Sequence, residues 1–260
     1  MGVTQLRDVV YVICVRSPAI RRYNATTHQR LADIVETGLV RARDIAACEL
    51  TSQLYVATFW FVWRVSSDGV DIQRWMPKSP CPDTFNAFTI SVTSSRLLVT
   101  SHRFRQLRQF DTAGGDELRR VDLPDYIEPL HAVESPTATF IVSHRNRQLN
   151  QVTEVSTEGQ VLRQFTSSSS GDFQHIAVDR QGNIFVGDTH TLEPRILLIR
   201  NDTDLPVRRV IIDTHQLSDR PPKRVRYLLL PLRLCYMEQS GQLLVGFNDD
   251  SVAVYDVLRR

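Results

Sequence analysis

Lysine is nearly missing from this chain of 260 residues: Lys78 and Lys223 stand alone, so 29 of the 31 basic residues are arginine, and the formal net charge is only +2. So small an excess excludes a nucleic-acid binder recognisable by composition. Arginine keeps a bidentate reach towards carboxylate and phosphate, so distribution has to decide. No apolar run approaches the roughly 18 to 20 residues that span a bilayer, so no membrane partner is expected. The opening MGVTQLRDVVYVICV has no basic segment leading into an apolar core and a cleavage site, so a cytoplasmic chain is expected. The four cysteines, Cys14, Cys48, Cys81 and Cys235, stand too far apart for a paired metal clip and read as buried thiols. G-x-S-x-G is absent, and Gly114 and Gly115 belong to a hairpin turn rather than a phosphate loop. Nor does any stretch hold a helical period over three turns.

What is present is a repeat. SHRFRQL at 101–107 returns as SHRNRQL at 143–149, six of seven residues identical. In the same register a short β-rich run passes through Tyr11, Tyr55, Leu98, Phe140, Phe185 and Leu244, at offsets of 44, 43, 42, 45 and 59. A period near 40 residues built from short strands indicates a propeller, and six matched positions indicate six blades. The long last offset reads as an inserted loop over about Asp213–Arg226, with Pro221 and Pro222 inside it. Within the second unit, DIAACEL, QLYVAT, VWRVS and VDIQRW give four strands, with Ser67, Asp68 and Gly69 as a turn.

The expected fold is therefore all-β: one six-bladed β-propeller of four-stranded antiparallel blades over 1–260. The blades fall at about 1–36, 37–78, 79–124, 125–167, 168–214 and 215–260. The sixth unit runs out after SVAVYDVLRR, its third strand, so a three-stranded last blade or a piece of a longer protein is expected. A monomeric ring is the expected state.

The fifth unit, HIAVDRQGNIFVGDTHTLEPRILLI, carries an IAVD strand, a turn at Gly182 and Asn183, an IFV strand, Asp188, and Arg195–Ile196 opening the third strand. It resembles the repeat of the NHL family. The resemblance is motif-specific over about one blade and otherwise one of period. It implies a six-bladed propeller used for recognition, and some RNA-binding relatives use a basic face for it.

In such a ring the loops between second and third strands share one disc face with the links between blades. That places Arg16, Trp60 beside Phe59 and Phe61, His102, Arg103, Phe104, Arg105, His144, Arg145, Arg147, His190 and 248–250 on that face, with Arg41 and Arg43 from a link. A binding or scaffold module for a protein or peptide partner is the first reading. RNA binding by interleaved arginines and rings is the second. Solvated rim arginines paired with neighbouring carboxylates would account for the same pattern without any ligand. A third reading, a metal-dependent lyase or lactonase-type hydrolase at the central channel, rests on His131 and His175, which open neighbouring innermost strands. Since no two histidines stand at a zinc spacing, no cofactor, no metal ligand and no catalytic residue is expected. Acidic residues at the first hairpin turn of four units, Glu49, Glu134, Asp179 and Glu238, read as turn fixtures.

Overall fold

The computed structural model describes residues 2–14, 17–58, 61–75, 87–146, 149–165, 173–189, 195–200, 208–210, 231–247 and 251–257. They form six antiparallel sheets in sequence order. Blade 1 holds β1 (Gly2–Leu6), β2 (Val9–Ile13), β3 (Ala19–Asn24) and β4 (Arg30–Val35). Blade 2 holds β5 (Asp44–Cys48), β6 (Gln53–Ala57), β7 (Val62–Ser66) and β8 (Ile72–Trp75). Blade 3 holds β9 (Thr89–Thr93), β10 (Arg96–Ser101), β11 (Gln106–Asp111) and β12 (Glu117–Asp122). Blade 4 holds β13 (Glu128–Glu134), β14 (Phe140–Asn146), β15 (Leu149–Val155) and β16 (Val161–Phe165). Blade 5 holds β17 (Phe173–Val178), β18 (Ile184–Asp188), β19 (Arg195–Ile199) and β20 (Arg208–Val210), and blade 6 holds β21 (Pro231–Met237), β22 (Gln242–Phe247) and β23 (Val252–Asp256). Among the described residues blade 6 has three strands and the other five have four, the arrangement the sequence predicts.

The first strand of each blade is innermost, each neighbours the next around the ring, and β21 returns to β1. Both faces of a blade are apolar, so each must bury against a neighbour, and six hydrophobic clusters fill the six junctions. The matched register positions Tyr11, Tyr55, Leu98, Phe140, Phe185 and Leu244 are all buried, on the second strands. Two of them carry a polar tip that crosses to the next blade. Tyr11 Oη donates to the Ser67 carbonyl (3.0 Å) and Tyr55 Oη to the Thr112 carbonyl (2.9 Å), each at the outer hairpin of that blade. Burial pushes the Tyr55 hydroxyl up to about 12, so it stays a donor. Trp75 fills the junction of blades 2 and 3, edge-on to Tyr55 and Phe110. Trp63 lies against Gly38, where a Cβ would come within 2.3 Å of its ring.

Ring closure falls to Val3, Val10 and Val12 of blade 1 against Met237 and Leu244 of blade 6. No fourth strand bridges that junction among the described residues; besides the packing, the Cys235 thiol meets the Gln5 backbone and the Thr4 side chain across it. Cys14 and Cys48 are buried and Cys235 half-buried, none of them in a disulfide among the described residues; Cys81 lies outside those residues.

Candidate functional site: the two mouths of the central channel

The innermost strands enclose a channel of about 560 Å³. Their backbone edges face it, and several edge groups are met by side chains from the adjoining blade. Thr89 Oγ1 donates to the Leu130 carbonyl, Ser91 Oγ to the Ala132 carbonyl and Ser143 Oγ to the Gln174 carbonyl, all at 2.9–3.0 Å. The first strands run away from the face that carries the loops between second and third strands, so their opening residues sit at the loop-side mouth.

Four side chains near these openings meet there: Asp44 on β5, His131 on β13, His175 on β17 and Arg233 on β21. In blades 4, 5 and 6 the strand register shifts between Pro129 and His131, Phe173 and His175, and Pro231 and Arg233. An irregularity of this kind re-aims the next side chain, which accounts for three consecutive blades presenting a polar group there. Asp44 Oδ1 accepts from the Ile45 N–H (3.1 Å), and Oδ2 accepts from the Ile90 N–H of blade 3 (3.0 Å). His175 Nδ1 accepts from the Leu234 N–H of blade 6 (3.1 Å). Arg233 reaches back across the channel, Nη2 donating to the Arg43 carbonyl (3.1 Å), while Nη1 donates to the Leu232 carbonyl (2.8 Å). The His131 and His175 rings stack with centroids 3.6 Å apart.

These contacts leave a gap. Arg233 Nε lies 3.4 Å from Asp44 Oδ1, and the Nε2 atoms of His131 and His175 each lie 3.9 Å from an Asp44 oxygen. His175 Nε2, Arg233 Nε and His131 Nδ1 are buried without a hydrogen bond. Burial drives both imidazoles well below the usual histidine range, reinforced at His131 by His175 and at His175 by Arg233, so both rings are neutral. Burial, then Arg233, also lowers Arg43.

Asp44, His131 and His175 bring one ligand atom each to within 4.8 Å of the others, close enough to suggest an ion. Their chemistry does not fit one. The Leu234 N–H occupies the Nδ1 lone pair of His175, which puts the proton of the neutral ring on Nε2, whereas a metal-binding histidine donates through its other nitrogen. The two ring planes are tilted by only 29° at 3.6 Å, so they meet far beyond the ~2 Å reach of a metal–nitrogen bond. Arg233 adds a positive charge beside the carboxylate.

At the opposite mouth the carboxylates of Glu49, Glu134, Asp179 and Glu238 each meet a partner. Glu49 Oε1 accepts from the Arg7 N–H (3.0 Å). Buried Glu134 meets Arg96 and Gln109 Nε2 at 2.8 Å each. Asp179 accepts from the N–H groups of Gln181 and Asn183 and from Asn183 Nδ2, over a turn in which Gly182 takes φ +82°. Glu238 lies 3.4 Å from Arg180.

Arg16, Trp60, Arg147 and His190 lie outside the described residues, as do Phe59 and 248–250. Arg43 sits half-buried with its guanidinium 5.1 Å above the Phe88 ring, and Phe88 lies 5.3 Å from the His102 ring. His102 Nδ1 is 3.1 Å from the Pro129 carbonyl, so these three side chains form a band across blades 2 to 4. Arg41 and Arg103 are exposed, the latter 5.6 Å from the Phe104 ring. Arg105 makes a long contact with fully exposed Asp125 (3.4 Å), and exposed Arg145 stands opposite Glu128 in the β13–β14 register.

His144 departs from expectation. It is fully buried, Nε2 2.7 Å from Thr153 Oγ1 and Nδ1 3.3 Å from the Arg145 carbonyl, so it belongs to the interior of blade 4 and not to the loop face. The reason is strand length: β10 ends at Ser101 and leaves His102 in a turn, whereas β14 runs on to Asn146. Asp44 and Arg233 were not singled out by sequence reasoning. Their one legible signal is a charged side chain opening an otherwise apolar strand.

No family model and no curated protein matches the chain. Solved structures do. The chain is similar to the hydrazine synthase of Kuenenia stuttgartiensis, at TM-score 0.67 and 12% identity over 100% of this chain and 96% of that one. It is also similar to a catalytically inactive H270A virginiamycin B lyase of Staphylococcus aureus with quinupristin (0.66, 11%, 99% and 80%). A third is the Cps50 (Swd1) β-propeller domain of Myceliophteria thermophila (0.65, 10%, 99% and 83%). At such identities the likeness establishes the propeller fold alone.

Proposed function

We propose that this chain is a recognition propeller, related in its repeat to NHL domains, that captures an acidic segment of a protein or peptide over the loop-side mouth. The observation that carries this reading is the band Arg43–Phe88–His102 leading to the mouth, with Arg41, Arg103, Arg105 and Arg145 around it. Guanidinium groups over ring faces keep their charge while shedding part of their water, which favours bidentate pairing with carboxylates. RNA would use the same chemistry. It is the weaker reading because Asp125 and Glu128 interrupt the arginines, whereas a nucleic-acid strand needs a positive track matched to its phosphates.

Fluorescence anisotropy with a labelled peptide of alternating Glu and Asp, beside an oligouridine of equal length, tests the choice. Peptide binding that weakens about tenfold or more in R41A/R103A/R105A/R145A supports it. Tighter binding of the oligouridine, or peptide binding unaffected by the quadruple substitution, contradicts it.

A further inference from the structure

Thr89, Ser91 and Ser143 tie neighbouring blades through hydroxyl donors and carbonyl acceptors, neither of which titrates near neutral pH. The tie between blades 5 and 6 is of another kind. Its acceptor is an imidazole nitrogen, His175 Nδ1, and its donor is the Leu234 N–H of β21, at 3.1 Å. That bond exists only while Nδ1 keeps its lone pair. Nε2 already carries the hydrogen of the neutral ring, so a second proton has to enter at Nδ1 and would set two N–H donors against each other across the blade junction.

The groups facing the ring oppose that charge. β21 brings Arg233, β13 brings neutral His131 stacked at 3.6 Å, and the N-terminal ammonium acts on the ring as well. Asp44 on β5 faces the other nitrogen, 3.9 Å from Nε2, and it already receives the Ile45 and Ile90 N–H groups and pairs with Arg233. Arg43, beside it, gives its carbonyl to Arg233. β14, β15 and β18 also pack against β17, and their buried ionisable groups have partners of their own: His144 with Thr153, Glu154 with Arg163 and Asp188 with Arg195. A charge on His175 therefore meets two cations and a carboxylate that is already shared.

We propose that His175 is a proton-operated latch at the loop-side mouth: neutral, it holds the opening of β21 through the Leu234 N–H, and protonated, it lets that strand end go. The latch goes beyond the recognition reading and stands without it. Release is local, since the apolar contacts of Ala177, Phe185 and Ile196 with Leu234, Leu243 and Val245 still join blades 5 and 6. It reaches the mouth because Arg233, next to Leu234 in the chain, spans the channel to Asp44 and to the Arg43 carbonyl. Burial, then Arg233 and the N-terminal ammonium, lowers His175, so the tie is complete above the unfolded histidine value of about 6.5 and is lost as pH falls through the folded one.

The test is amide hydrogen exchange of the ¹⁵N-labelled full chain between about pH 7.5 and about pH 4.5, corrected for intrinsic rates, with Leu234 compared to Leu98 and Leu244 on the second strands of blades 3 and 6. Leu234 is expected to lose about tenfold or more of its protection towards the acid end, while Leu98 and Leu244 keep theirs. In His175→Asn, whose side-chain carbonyl accepts from Leu234 and does not titrate, the loss should vanish. In His144→Gln, which removes the buried imidazole of blade 4, it should remain. Leu234 protection that ignores pH, an equal loss at Leu98 and Leu244, or the same loss in His175→Asn would each overturn the proposal. Should the asparagine variant not fold, the wild-type His175 Nδ1 resonance decides: proton uptake over the pH range in which Leu234 opens supports the latch, and uptake over a different range contradicts it.

Discussion

At the hairpin mouth of the channel Glu49, Glu134, Asp179 and Glu238 all have partners, while at the loop mouth His131, His175 and Arg233 each keep a buried nitrogen without a hydrogen bond. The same strands supply both sets. Each of the hairpin-mouth pairs fixes a turn or ties neighbouring blades, although Glu49 is exposed and Arg96 Nε and Gln53 Oε1 at the same end are buried without a hydrogen bond. An incompletely satisfied buried network costs stability and is expected where a ligand or an ordered water completes it. The contrast between the two sets of ionisable groups is what the proposed recognition reading draws on.

The contrast breaks first at Asp44. It accepts the Ile90 N–H and faces Arg233, so Asp44→Ala is expected to cost about 3–5 kcal/mol by urea denaturation, with Asp44→Asn costing less. A loss below about 1 kcal/mol would mean that the loop-mouth groups are not held by this carboxylate.

Glu134 sharpens the other side. Glu134→Gln should cost less than about 1 kcal/mol, because Gln109 keeps an acceptor and burial already disfavours the charge that the substitution removes. Burial raises the Glu134 carboxyl in spite of Arg96, so what it contributes to stability is fully present below its unfolded value and declines as pH rises through the folded one. Glu117, on the outer strand of blade 3, runs the opposite way. Burial acts to raise it, but Arg108 and Arg120 outweigh that and hold it down to about 2. Its contribution is present above the unfolded value and is lost as pH falls towards 2, so Glu117→Gln should show a shallower acid limb in thermal melts against pH. An unchanged limb would remove Glu117 from the satisfied class.

The smallest effect is expected at the rim. R41A/R103A/R105A/R145A should change stability by no more than about 0.5 kcal/mol per site, since these side chains are exposed or weakly paired. A larger loss would make the rim a structural feature.

How much of this could be read beforehand follows from where the information lies in the chain. Tyr11, Tyr55, Leu98, Phe140, Phe185 and Leu244 recur at one spacing because every blade must bury the same strand, so fold and blade number were legible. The acidic positions were legible for the same reason, but only Asp179 accepts from its own turn; Glu49, Glu134 and Glu238 pair with a neighbouring blade. The loop mouth was not, since Asp44, His131, His175 and Arg233 come one per blade from four blades and meet only when the ring closes; His131 and His175 were noticed as strand openers, and their partners were not. The heptads at 101–107 and 143–149 show the limit from the other side. Six shared residues in seven place His102 in a turn and His144 inside a strand, because cross-strand pairing with β15 extends β14 past the point where β10 ends.

The decisive measurement is the tautomer of His175 in the free protein, read from long-range ¹H–¹⁵N correlations of the imidazole near neutral pH. A neutral ring protonated at Nε2 and bare at Nδ1 is the expected result, giving the Leu234 N–H its buried acceptor. A proton on Nδ1 would contradict it, opening a lone pair to an ion and removing the difference between the two mouths on which recognition is placed.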